Sequence, residues 1–150
     1  MPVKKTAIKN YIQTVGRRKS AVARVRLYKS GNSVKINDLE IKKGGLAVNS
    51  MPAKEYFRFE GYSPRYDKFL KLLNAEGKYI FTVKVAGGGI NSQLDAMIHG
   101  MARALDKFDS ATYHSMLTAN GYLTRDARVR ERRKVGMGGK ARRKRQSPKR

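Results

Sequence analysis

Residues 79–108 read YIFTVKVAGGGINSQLDAMIHGMARALDKF, and a change of period inside this stretch decides the fold. Tyr79 to Ala86 is rich in β-branched and aromatic residues, the composition of a strand. Gly87-Gly88-Gly89 ends it. From there Ile90, Leu94, Met97, Ile98, Met101, Leu105 and Phe108 recur mostly at helical steps, leaving Asn91, Asp95, His99 and Asp106 off the apolar stripe. The three glycines admit two readings. They could bring backbone N–H groups at a helix N-terminus to a phosphate, or form a tight strand-to-helix turn that needs positive φ and close packing. Their spacing matches neither the dinucleotide nor the P-loop fingerprint, which favours the turn.

Working outward, Ala21 to Tyr28 alternates strictly. Ala21, Ala23, Val25 and Leu27 face one way, and Val22, Arg24, Arg26 and Tyr28 the other, so this is a half-buried strand with Arg24 and Arg26 on its open face. Tyr11 to Val15 reads as a short strand before a Gly16-Arg17-Arg18-Lys19-Ser20 turn. Ser30-Gly31-Asn32 is a turn signal before a strand around Val34 and Ile36, which predicts a hairpin with Ala21 to Tyr28. Lys42 to Tyr62 looks irregular, with one short helix after Ser50-Met51-Pro52. Ser63-Pro64 opens a helix through Phe69, Leu70, Leu72 and Leu73 that Gly77 would close. Tyr113, Met116 and Leu117 mark a last short helix, ended at Asn120-Gly121. The elements add up to an α+β domain, a small β-sheet with helices on one face, over residues 1–122. Residues 123–150 form an extended basic C-terminal tail. No internal repeat is visible.

That tail reads LTRDARVRERRKVGMGGKARRKRQSPKR. Its Arg125, Arg128, Arg130, Arg132, Arg133, Lys134, Lys140, Arg142, Arg143, Lys144, Arg145, Lys149 and Arg150 are opposed only by Asp126 and Glu131. Val129, Val135 and Met137 are scattered singly, so the segment alone cannot offset its ordering entropy and should be disordered until a polyanion binds it. Gly136, Gly138 and Gly139 break any long helix, leaving a jointed arm whose arginines can bridge phosphates and stack on bases. The whole chain carries a formal net charge of +23 over 150 residues, the electrostatic footprint of a nucleic-acid-binding protein. Arg17, Arg18 and Lys19 in the basic turn, with Arg24 and Arg26 beside them, would make one phosphate-contacting stripe.

Several function classes receive no support. The chain has no cysteine, which removes disulfides, thiolate zinc sites and cysteine nucleophiles. His99 and His114 lack a metal-ligand spacing, and the acidic residues are too scattered to propose a catalytic pair. No cofactor, metal or enzymatic activity is expected. No apolar run approaches the ~20 residues of a membrane span, and MPVKKTAIKNYIQTV has no apolar core of a secretory signal. The short N-terminus without an Arg- and Ser-rich transit segment points to a bacterial cytoplasm or a plastid-encoded protein, with an organellar ribosome as the alternative.

Three segments together resemble one family, the ninth protein of the small ribosomal subunit of bacteria and organelles. They are GRRKSAVARV from Gly16, GGGINSQLDAMIHGMARAL from Gly87, and LTRDARVRERRKVG from Leu123, closed by Lys149-Arg150. The resemblance implies a left-handed βαβ crossover like that of the second domain of small-subunit protein five. It also implies a structural place in the subunit head against the 3′ major domain of the rRNA, among neighbouring head proteins, with no homo-oligomer. By the same resemblance Arg17, Arg18, Lys19 and the tail cations from Arg125 to Arg143 face rRNA, and Lys149 and Arg150 reach the anticodon stem-loop of the P-site tRNA. The family's usual ending, Gln-Phe-Ser-Lys-Arg, departs here to Gln146-Ser147-Pro148-Lys149-Arg150, which removes an aromatic contact and holds Ser147 extended. An alternative is the protein subunit of ribonuclease P, which is similar in its crossover and basicity but carries its charge on an internal helix. A histone-like DNA organiser is a third reading, which competition between duplex DNA and structured RNA would separate.

Overall fold

A computed structural model describes residues 11–28, 33–36 and 39–132. The chain runs β1 (Tyr11–Arg18), β2 (Ala21–Tyr28), β3 (Ser33–Ile36), β4 (Leu39–Lys42), β5 (Leu46–Val48), β6 (Met51–Pro52), α1 (Ala53–Tyr56), α2 (Ser63–Leu72), β7 (Ile80–Ala86), α3 (Ile90–Phe108) and α4 (Ser110–Ala119). One sheet has the order β1-β2-β7-β5-β6, and β3-β4 forms a separate ribbon. The sheet is mixed: β2 is antiparallel to both β1 and β7, whereas β5 runs parallel to β7 with α1 and α2 in the connection between them. This is an α+β fold.

The expected hairpin between β2 and the next strand does not form. Both edges of β2 are already taken, by β1 and β7, so β3 pairs with β4 instead. The first strand is also longer than its composition suggested. It continues through Gly16, Arg17 and Arg18 in full register with β2, and only Lys19 and Ser20 turn, Lys19 at φ 51°. The segment expected to be irregular contains β5, β6 and the short α1 at the expected place.

Period-two patterning puts Ala21, Ala23, Val25 and Leu27 in the core, where α3 lies across β1 and β2. Leu94, Met97, Met101 and Leu105 of α3 are completely buried against them. The approach is close because two glycines meet. A Cβ on Gly16 would lie 1.9 Å from the Ala96 carbonyl oxygen and 2.4 Å from the Gly100 nitrogen. One on Gly100 would lie 2.6 Å from Val25 Cγ2. The Thr14 hydroxyl donates to the Gly100 carbonyl at 2.7 Å across the same contact. On the opposite face of the sheet a second cluster, Ile41, Ala47 and Ile80 with Tyr28 and Val34, seats the β3–β4 ribbon over one end. Elsewhere on that face Arg17, Val22, Arg24 and Lys84 are exposed.

Gly87 and Gly88 have φ of 72° and 64°, and a Cβ on Gly87 would lie 2.6 Å from the Ser20 carbonyl oxygen. The triplet is therefore the tight turn, wedged against the β1–β2 hairpin. Helix α2 ends one turn earlier than Gly77 suggested. Asn74 supplies the left-handed residue (φ 48°), with its N–H donating to Lys71 O and that of Ala75 to Leu70 O, a Schellman closure. Gly121 does the same for α4, as expected: its N–H donates to Thr118 O and that of Tyr122 to Leu117 O. Tyr122 then packs edge-on against Phe69 at 5.0 Å, which fixes the chain where the tail begins.

Candidate nucleic-acid interface

Strand alternation sorts the basic residues onto two faces. In register, Arg17 opposes Val22, Val15 opposes Arg24 and Gln13 opposes Arg26, so Arg17, Arg24 and Arg26 share the open face of the sheet. Strand β7 adds Lys84, directly opposite Arg24 on the other side of β2. Arg17, Lys19, Arg24 and Lys84 are exposed, and the half-buried Arg26 guanidinium lies 4.9 Å from the centre of the Tyr11 ring. Lys84 is a candidate that sequence reasoning passed over, although the alternation of IFTVKVA puts it opposite the buried Phe81, Val83 and Val85.

Arg18 has the other parity and points to the α3 side. There it docks the root of the tail. Its Nη1 donates to the Arg128 carbonyl at 2.7 Å, its Nη2 pairs with Asp126 at 3.0 Å and its Nε lies 3.8 Å from Asp95. Only 16% of the side chain is exposed. Asp95 is also paired with Arg65, and Asp126 accepts the Nη2, Nε and backbone N–H of Arg128. The Arg128 guanidinium and N–H hold the Asp126 carboxyl far below the usual carboxylate range, with Arg18 adding to the effect. At the tail root Leu123 is part-buried on the core and Asp126 is clamped by Arg18. Arg125, Arg130 and Arg132 are exposed along it. Arg133, Lys134, Lys140, Arg142, Arg143, Lys144, Arg145, Lys149 and Arg150 lie outside the described residues.

His99 stands at the junction of these parts. The Arg17 N–H donates to its Nδ1 at 3.4 Å, and the ring also bonds the Leu123 backbone. Burial, followed by the positive charge of Arg103 and then of Arg125, lowers its pKa, against the opposing effect of the backbone bonds. The sign follows. The unfolded chain takes up a proton first as pH falls through about 6.5, so His99 costs stability progressively below that pH and nothing well above it. His99→Gln should therefore lose less of its thermal midpoint than the parent between pH 7.5 and pH 5, and equal losses would remove His99 from this role. His114 is exposed and bonded to Asp106 at 2.7 Å.

Around this surface three aspartates are occupied and several cations are exposed. Asp95, Asp106 and Asp126 all have internal cationic or imidazole partners, while Arg17, Lys19, Arg24 and Lys84 face outward. Such a surface suits a polyanion. No helix among the described residues is long and apolar enough to cross a membrane.

Comparison with known proteins agrees with this geometry. The family model described as "Ribosomal protein S9/S16" matches residues 16–150. The small ribosomal subunit protein uS9c of Mesostigma viride is 42% identical over 129 residues, covering 85% of this chain and 84% of that protein. The small ribosomal subunit protein uS9 of Maridesulfovibrio salexigens is 39% identical over 131 residues, covering 87% of this chain and 91% of its own. Matched from the Gly16 contact through the docked tail root to its last residue, the chain belongs to the S9/S16 family of ribosomal proteins.

Proposed function

We propose that this protein binds the 3′ major (head) domain of small-subunit rRNA and that its C-terminal tail contacts P-site tRNA during translation. As a member of the S9/S16 family it is a structural ribosomal protein, not an enzyme. The observation that carries the finer reading is the separation of charge. Each aspartate near the interface is consumed internally, the open sheet face and the hairpin tip present Arg17, Lys19, Arg24 and Lys84, and the exposed tail root sets Arg125, Arg130 and Arg132 against Glu131. Arg17, Lys19, Arg24 and Arg26 would meet rRNA from the folded domain. Arg125, Arg130, Arg132, Arg133, Lys134, Lys140, Arg142, Arg143, Lys144 and Arg145 would line it along the tail. Arg18 and Arg128 serve chiefly to aim that tail. Neighbouring head proteins complete the surroundings, in a bacterial cytoplasm or, as the alternative, an organellar matrix.

Lys149 and Arg150 are assigned to the tRNA anticodon stem-loop, where two cations at the end of an arm can bridge backbone phosphates. Deleting only these two residues should leave subunit assembly intact, by sedimentation, and shorten the retention of tRNA in the P site. Loss of assembly in that deletion would refute a dedicated tRNA role.

A further inference from the structure

The open face of the sheet contains a hollow of about 110 Å³ lined by Gln13, Arg24, Arg26, Ser50, Thr82 and Lys84, with no carboxylate among its lining residues. It exceeds the ~10–15 Å³ that a single water needs. Arg24 and Lys84 are directly opposite across β2 and β7, a like-charge pair that destabilises a free sheet. Thr82, opposite Arg26 on the same face, is only 6% exposed and lines the hollow.

The rim is rigid. Asn49 and Ser50 both have positive φ, 49° and 65°, in the tight turn between β5 and β6. The Asn49 side chain locks that turn to β7: its Nδ2 donates to Val85 O at 3.1 Å and its Oδ1 accepts the Val85 N–H at 3.0 Å, while the Asn49 N–H reaches Val83 O at 2.9 Å. Arg26 is held over Tyr11, so its guanidinium is already placed.

We infer that this hollow is a subsite for one phosphodiester group of RNA. Arg24 and Lys84 take its non-bridging oxygens and the Thr82 hydroxyl donates from below. The phosphate removes the Arg24–Lys84 repulsion. This inference rests on the RNA-binding reading above and specifies a contact within it.

The test is ethylation interference with the full-length protein on a 3′ major domain transcript, where each ethylated phosphate loses its charge. In the parent, a short cluster of phosphates should interfere through this site. Lys84→Thr should lose that cluster while keeping the others, and lower the slope of log affinity against log salt by about one. The same variant, free of RNA, should melt at a higher temperature than the parent. Thr82→Val should fold normally and weaken the same cluster. If the parent binds but both variants keep its full pattern and slope, the subsite is wrong and the RNA-binding reading stands. If both keep the RNA pattern but lose association with a neighbouring head protein, the occupant is an acidic protein segment and the inference falls. If the parent does not bind the transcript, the underlying reading fails and takes the subsite with it.

Discussion

Gly16→Ala destabilises the folded domain by about 3 kcal/mol or more and lowers its thermal midpoint by roughly 10 °C. The added Cβ would sit 1.9 Å from a backbone oxygen of α3 and 2.4 Å from a backbone nitrogen, and neither can swing aside as a side chain can. The helix must lift off β1, opening the contacts that bury Met97, Met101 and Val25 and stretching the Thr14–Gly100 hydrogen bond. Gly100→Ala is the sharper test because its two effects have opposite signs. In an isolated helix the change would gain about 1 kcal/mol of propensity. Here the methyl meets Val25 and the Gly16 backbone, and the net result is a loss. Gly89→Ser is the control. Gly89 has open space around its Cβ position and caps α3 without a side chain, so serine there should be neutral or slightly stabilising. Chemical denaturation of the three variants checks the set, and a stable Gly16→Ala protein would refute the close-contact account.

Deleting residues 133–150 flattens the salt dependence of RNA binding. For the full chain, several phosphate contacts should cost on the order of 10³-fold in affinity between about 50 and 200 mM salt, because each released counterion adds to the slope. The deletion removes nine cations, Arg133, Lys134, Lys140, Arg142, Arg143, Lys144, Arg145, Lys149 and Arg150. If four of them neutralise phosphates, the slope falls by about 3. The remaining domain keeps the sheet-face cations and the docked root, so it should bind weakly with a shallow but non-zero slope. An unchanged slope after deletion would mean that the tail is not an electrostatic RNA-binding arm.

Long, strongly periodic elements were legible from the sequence. The alternation of β2, the apolar stripe of α3 and the Asn120-Gly121 closure of α4 each record a repeated physical requirement. Short elements were not. Strands β4, β5 and β6 have four residues or fewer, too few for a period to show. Gly16 was read as a turn because a glycine before three basic residues looks like one, whereas its role is set by a residue 84 positions away. That misreading also hid the parity separating Arg17 from Arg18, and so the difference between an outward cation and the clamp on Asp126. Gly77 misled similarly, since Asn74 took the left-handed position first. Of the candidate interface, Arg24 and Arg26 were legible by alternation. The Arg24–Lys84 juxtaposition needed strand order, which no local pattern contains.

The central claim, that this surface and its tail serve small-subunit rRNA, is tested most directly by ultraviolet crosslinking of the tagged full-length protein in cells, with sequencing of the attached RNA. The account predicts crosslinks concentrated in the 3′ major domain of small-subunit rRNA, together with crosslinks to tRNA anticodon loops that vanish when the tail is removed. Crosslinks concentrated on precursor-tRNA leaders and the ribonuclease P RNA would contradict it.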